Sequence, residues 1–240
     1  MRYVARKRRE FLKAGKPVIS VDSKKKELMG KFKNPGRTWR REPVSVLATD
    51  FPSDAEGKAI PYGVYEVARN RGFVGVGTSH ETAEFAVNVI RAWWRCEGRK
   101  AFAGQTELLI QADGGGGNGC RSWLWKWKLQ HFADQTGRTL VVTHYPTSAS
   151  KWNLIEHRLF GPISQNWAGQ PLVDYETVLK FIRTTQTESG LRCRAYLDTT
   201  NYVTRKKVSR EQKTAINVIH RRVLPKWNYT IKPRTSSRVK

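Results

Sequence analysis

Two short apolar runs that each end in an aspartate constrain this chain more than anything else in it. They are Pro17-Val-Ile-Ser-Val-Asp22 and Leu108-Leu-Ile-Gln-Ala-Asp113. Both are too short for a buried helix, and turn residues bound them: Gly15, Lys16 and Pro17 before the first, Gly114 to Gly119 after the second. They read as strands with a carboxylate at the C-terminal end. In an open α/β sheet that edge is where ligands bind.

The remaining pattern supplies the rest of such a sheet. Residues 2–14 read as a basic helix, 24–42 as a long basic loop, and Val44 to Leu47 as a further strand. Residues 60–68 and 72–78 are β-prone runs split by Asn70, Arg71 and Gly72, a hairpin signal. A helix follows over 81–97, with Phe85, Val89, Ala92 and Trp93 on its apolar side. Beyond the second aspartate come a helix at 120–135, a strand from Leu140 to Thr143, a loop from Pro146 to Ser150 and a helix at 151–165. The C-terminal part reads as a helix at 174–186, a strand near 191–197, a helix at 209–223 and a polar basic tail, with no internal repeat. Strands first, then strands alternating with helices, imply an α/β fold: a mixed sheet flanked by helices on both faces.

An aspartate at a strand end is commonly just a turn cap, so neither Asp22 nor Asp113 is diagnostic alone. Glu156 sharpens the case. At 100° per residue, Trp152, Ile155, Leu159, Phe160 and Ile163 fall within an arc of roughly 140°, and Glu156 lies inside it. A carboxylate on a buried face needs a partner, either an arginine or a metal. Three carboxylates on a sheet edge and a facing helix suit hard cations such as magnesium. Two such ions about 4 Å apart can activate an attacking oxygen and steady a leaving one in phosphoryl transfer. The three carboxyl groups are therefore expected to converge within cation-sharing distance.

Charge points to the substrate class. Lys plus Arg number 44 against 20 Asp plus Glu, a formal net of +24, and the pI is near 10.4. Such a surplus fits a polyanion, nucleic acid before an anionic membrane. No apolar run approaches the ~20 residues needed to span a bilayer, and no signal peptide follows the basic N-terminus. Three scattered cysteines, Cys96, Cys120 and Cys193, argue against disulfides and zinc and fit a reducing compartment. Lys24, Lys25, Lys26, Lys31 and Lys33 follow Asp22 closely and are candidate DNA contacts, as are Asn118 and Arg121 around the glycine turn and Lys151 and His157 beside Glu156.

Several motifs lead elsewhere and fail. Gly114, Gly116 and Gly119 match G-x-G-x-x-G, but Asp134 precedes the next strand instead of ending it, and Asp113 would repel a pyrophosphate. A tight turn that lets a DNA backbone or water approach Asp113 closely is the better reading. His80, His131, His144, His157 and His220 show no ligand spacing. Ser148, Ser150 and Cys120 lack a base partner. Trp123, Trp125 and Trp127 read as packing residues.

The segments VISVDSKKKELMGKFKNPGRTW, KAIPYGVY, ETAEFAV, LLIQADGGGGNG, SKWNLIEHRLFGPISQNWAGQPL and WNYTIKP resemble bacterial insertion-sequence transposases of the ISAzo type, over about residues 10–233. The resemblance implies an RNase H-like catalytic core with a DDE triad falling on Asp22, Asp113 and Glu156. It implies magnesium or manganese as cofactor, element ends and target DNA as partners, a homo-oligomer in the active complex, and a cytoplasmic, nucleoid-associated place in a bacterium. Family members carry a longer N-terminal part with a helix-turn-helix, so the expectation is a truncated chain: residues 1–15 as the end of a helical region, 16–170 as the RNase H-like core, and 171–240 as an α/β extension with a basic tail. Cys120 and the stretch Tyr145-Pro-Thr-Ser-Ala depart from the family pattern.

The expected function is metal-dependent DNA strand cleavage and transfer. The competing expectations are a structure-specific nuclease on the same fold, and an inactive remnant acting only as a basic DNA-binding protein. The last explains the charge but not Glu156.

Overall fold

In a computed structural model the chain is described over residues 1–39, 41–47, 49–146 and 149–234. Ser148 and the end of the basic tail, both interpreted above, lie outside the described residues.

Helix α1 (Arg2–Lys13) leads into β1 (Val18–Ser23), and a short β2 (Glu27–Met29) interrupts what reads as a basic loop. The hairpin is β3 (Gly57–Glu66) and β4 (Arg71–Gly77), turned at Asn70 with φ 54°. Then come α2 (Ala83–Trp93), a π-helical turn (Trp94–Gly98), α3 (Arg99–Ala101) and β5 (Glu107–Ala112). After the glycine turn follow α4 (Trp123–Thr136), β6 (Thr139–His144), a 3-10 turn (Ser150–Trp152), a π-helical turn (Glu156–Phe160) and α5 (Gly161–Asn166). The chain continues through α6 (Tyr175–Thr184), β7 (Arg192–Asp198), α7 (Arg210–Thr214), β8 (Val218–His220) and β9 (Asn228–Ile231).

Among the described residues nine strands form one mixed sheet in the order β7-β4-β3-β1-β5-β6-β9-β8, with β2 beside β3. β1 pairs antiparallel with β3 and parallel with β5, and β6 is parallel to β5. Strand alternation sends Ile19, Val21, Leu108 and Ile110 to one face, where α2 and α4 cover them with Phe85, Trp93, Trp125 and Phe132. α2 starts on a Thr82 cap and α4 on a Ser122 cap, and Gly137 ends α4 in the left-handed conformation. On the other face α1 lays Phe11 over Val18, Leu109 and Val141. Beside it, Ile155, Leu159, Phe160 and α6 cover Tyr65, Val74 and Val76. Helices thus flank both faces, as the sequence implies. Among the described residues no helix is long and apolar enough to cross a membrane.

The C-terminal pattern differs from expectation. The helix expected at 209–223 is only Arg210–Thr214, and Val218–His220 is a strand. Asn228–Ile231, expected within a polar tail, pairs with β6 and β8. The open edge of β6 offers a ladder of backbone partners, and that tertiary pairing overrides a weak helical period. Val44 to Leu47 forms no strand; only Leu47 bridges to Phe32.

Candidate active site

β1 and β5 are register neighbours, with Val21 opposite Ala112. Asp22 and Asp113 are the next residue of each run, so they stand side by side at adjacent strand ends, about 4.8 Å apart in backbone spacing. Both belong to the alternation of Val18 and Leu109, on the face that carries α1 and the π-helical turn.

Glu156 opens that π-helical turn. Its cause is local: Pro162 has no N–H to donate to the carbonyl of Arg158, and its ring crowds that carbonyl. The backbone widens, so that the Gly161 N–H reaches the carbonyl of Glu156. The turn lies close on the sheet because β3 has Gly63 opposite Asp22. A Cβ there would stand 2.7 Å from the Phe160 ring and 2.9 Å from Ile155 Cδ1. The regular α-helix expected at 151–165 is therefore broken, and Trp152, placed in the buried arc, is 55% exposed. Glu156 itself is half-buried.

Asn153 ties the two parts together. Its Nδ2 donates to Asp22 Oδ2 at 2.8 Å, and its Oδ1 accepts from Ser20 Oγ at 2.7 Å. The other oxygen of Asp22 accepts from the Ser23 N–H at 2.8 Å. Asp113 accepts from the Gly114 N–H. Its carbonyl accepts from His144 Nδ1 at 2.8 Å, while His144 Nε2 accepts from Tyr229 at 3.1 Å and Tyr229 from Trp125 Nε1 at 3.0 Å. Burial pushes His144 down to about 4, so the neutral ring with its proton on Nδ1 fits both partners.

Burial, and next the charge of Asp113, push Asp22 up to about 7; Glu156 and Glu81 add to the repulsion. Glu156 is also raised, first by burial, against a lowering pull from Lys24. Among the described residues no Lys, Arg or His forms an ion pair with Asp22, Asp113 or Glu156. The arginine partner that would make Glu156 merely structural is thus missing there.

The three carboxylates share one electrostatic neighbourhood: the charges of Asp113 and Glu156 bear on Asp22, and that of Asp113 on Glu156. Among the described residues no three His, Cys, Asp or Glu groups are gathered closely enough to hold a cation as they stand. The donor set fits a divalent ion: hard oxygens, no ion pair to a protein cation among the described residues, and a carboxylate raised well above its ordinary range by burial and by the charge of Asp113.

The candidate DNA contacts separate into groups. Lys25, Lys26, Lys31, Lys33, Arg121, Lys151 and His157 are exposed. Lys26 lies 3.5 Å from Glu81, and His157 bonds the Lys151 carbonyl at 2.9 Å. Lys24 is nearly buried, paired with Glu27 at 2.7 Å over the Trp167 ring. Asn118 is buried inside the glycine turn, with neither polar side-chain atom partnered among the described residues. That turn approaches protein backbone: a Cβ on Gly117 would stand 3.0 Å from the Thr82 carbonyl oxygen. The close approach expected near Asp113 is used, in part, to seat α2.

Sequence reasoning missed Asn153 and Glu81. Glu81 accepts from Ser23 Oγ at 2.8 Å. Asn153 stands three residues before Glu156, a spacing that places two polar groups on one side of a helical segment and could have flagged it. Nothing in the local pattern marks Glu81.

A family model described as the Rhodopirellula transposase DDE domain matches residues 1–233. No curated protein sequence matches. Among solved structures, the Mos1 transposase paired-end complex with left transposon end is similar with a TM-score of 0.50 at 16% identity, over 75% of this chain and 50% of that one. The Mos1 Strand Transfer Complex matches with a TM-score of 0.51 at 14% identity, over 75% and 49%. A pre-cleavage Mos1 transpososome matches with a TM-score of 0.51 at 15% identity, over 75% and 50%. The chain spans about half the length of these structural relatives, and the shared feature is the RNase H-like fold.

Proposed function

The chain belongs to the family of Rhodopirellula transposase DDE domains, and we propose that it cleaves and joins DNA strands at a divalent-cation site made by Asp22, Asp113 and Glu156. The observation that carries this reading is the juxtaposition of two strand-end aspartates on adjacent parallel strands with a half-buried glutamate. No ion pair to a protein cation engages any of the three among the described residues, and burial together with the charge of Asp113 pushes Asp22 up to about 7. Magnesium or manganese would be held by these three side chains and would supply positive charge to the transferred phosphate.

The chain's own residues prepare that site. Asn153 and the Ser23 N–H fix both oxygens of Asp22, so its orientation is set before any ligand arrives. His144 fixes the backbone of Asp113 and, being neutral, adds no charge that would compete with a cation. Gly63 makes room for Ile155 and Phe160, which seat the turn that carries Glu156 on the sheet. The exposed lysines after Asp22 and Arg121 attract the phosphate backbone that the carboxylates alone would repel. The substrates are element ends and target DNA, and the working assembly is a homo-oligomer that holds two ends together.

The test is magnesium-dependent nicking and joining of a pre-nicked element-end duplex by wild type and Asp113→Asn. Activity lost with DNA binding retained is the expected result. Joining that persists in the variant removes the site.

A further inference from the structure

A cavity of about 890 Å³ lies away from the carboxylates, framed by Arg69, Arg71, Lys100, Arg183, Arg192 and Arg194. Arg71 opens β4 and Arg192 opens β7. β4 is antiparallel to β3, β3 to β1, and β7 is parallel to β4. Both strands therefore run with β1, and the cavity lies at the edge where β1 begins. Across a seven-residue strand that is about 20 Å from the Asp22 edge.

A cluster of cations is usually a solvated face balanced by acids. Here the balance is incomplete. Glu97 is the one acidic residue lining the cavity. It is shared by Arg194 at 3.4 Å and Arg69 at 3.8 Å, and Arg69 is also held by Glu66 at 2.6 Å. Arg183 donates to the Ala195 carbonyl at 3.1 Å. These three are engaged in the fold. Arg71, Lys100 and Arg192 have no ion pair or side-chain hydrogen bond among the described residues. Three unpaired cations converging on one concave surface repel each other, so the site favours an anion. Guanidinium pairs match phosphate oxygens in a bidentate way, and the cavity is far larger than a single phosphate.

We propose that this cavity binds phosphate groups of a DNA backbone, as a second contact on the opposite sheet edge from the carboxylates. The proposal rests on the DNA-acting reading above. A duplex that runs past the active edge would be gripped here without any contribution to the chemistry.

The fold carries its own reporter. Cys96 lines the cavity and is exposed. Cys120 and Cys193 are buried, and burial pushes the Cys193 thiol up to about 12, so neither competes for a thiol reagent near neutral pH. The experiment follows alkylation of Cys96 in the full chain, with DNA binding read in parallel by anisotropy. The probes are a random duplex of about 30 base pairs and inorganic tripolyphosphate. The expected result is that the duplex slows Cys96 alkylation in wild type. The triple variant Arg71→Ala, Lys100→Ala, Arg192→Ala should lose that protection, and its salt dependence of binding should flatten by about 0.9 in log–log slope for each contact removed. All three side chains are solvent-accessible, and an unchanged urea midpoint would show that the variant folds. Asp113→Asn should keep the protection, so failure of the active-site reading would appear in the joining assay and not here. A duplex that binds yet leaves Cys96 reactivity unchanged overturns the proposal. Protection by tripolyphosphate but not by duplex overturns DNA as the source of the phosphate.

Discussion

Asp22 and Asp113 sit on the ends of neighbouring strands in the middle of the sheet, whereas Glu156 sits on a π-helical turn laid over that sheet. The first pair is placed by the register of β1 between β3 and β5. The third carboxylate depends on a proline, a glycine in another strand and an asparagine. Two carboxylates are thus built into the fold, and the third is brought to them by side-chain packing.

The largest effect should come from removing the charges themselves. Asp22→Asn, Asp113→Asn and Glu156→Gln should each lower strand cleavage and joining by on the order of 10³-fold or more, because each takes one anionic oxygen from the cation site. DNA binding should stay constant or tighten slightly, since a negative charge near the phosphate path is gone. The measurement is joining of a pre-nicked duplex with magnesium, beside a binding titration. If Glu156→Gln alone keeps joining, the packed carboxylate is not equivalent to the strand-borne pair.

The next effect concerns pH in the metal-free protein. Asp22 titrates near 7 in the fold and near 3.9 in an unfolded chain. Between those values the folded state holds a proton that the unfolded state has released. Stability should therefore fall as pH rises from about 4 to 7, by about 1–4 kcal/mol from this group. His144 works in the opposite sense: its depressed value near 4 costs stability as pH falls below about 6.5. Urea unfolding of wild type and Asp22→Asn in chelator separates the two, because only the Asp22 contribution vanishes in the variant. Identical pH dependence of the two proteins would show that burial and the charge of Asp113 do not raise Asp22 in this way. Magnesium at pH 8 should restore stability to wild type and not to Asp22→Asn.

Packing comes third. Gly63→Val should press on Phe160 and Ile155, costing about 1–3 kcal/mol in unfolding free energy and moving Glu156 from the aspartates. Joining should fall while most of the Asp22 contribution to the pH dependence persists, since its larger causes, burial and the charge of Asp113, do not depend on Glu156. A variant that loses stability but joins at the wild-type rate would detach Glu156 from Gly63.

The contrast between strand and turn also explains what the sequence reveals. Asp22 and Asp113 are legible because a strand has a fixed period and both end apolar runs. The mixed sheet follows from the order of such runs. Glu156 is found with a period of 100° per residue, but its backbone is π-helical, so the arc that includes Glu156 also includes Trp152, which is exposed. Asn153 and Gly63 act through contacts between elements distant in sequence. β8 and β9 form because β6 has a free edge, which no window of residues 209–231 contains.

The smallest effect should come from Asn153→Ala. Asn153 touches no reacting atom in this reading; it positions Asp22 and caps Ser20. Its loss removes a hydrogen bond that favours the ionised carboxylate and leaves Ser20 without its acceptor, a cost of about 1–3 kcal/mol in stability. With that donor gone, Asp22 should titrate still higher than about 7. The ionised fraction near neutral pH then drops, and magnesium-dependent joining should fall about 3–10-fold there while recovering toward the wild-type rate in alkaline buffer. A general folding defect would lower the rate at every pH by the same factor. Measuring joining across pH in wild type, Asn153→Ala and Asn153→Gln therefore separates positioning from scaffolding, and a uniform loss in Asn153→Ala would assign Asn153 to packing alone.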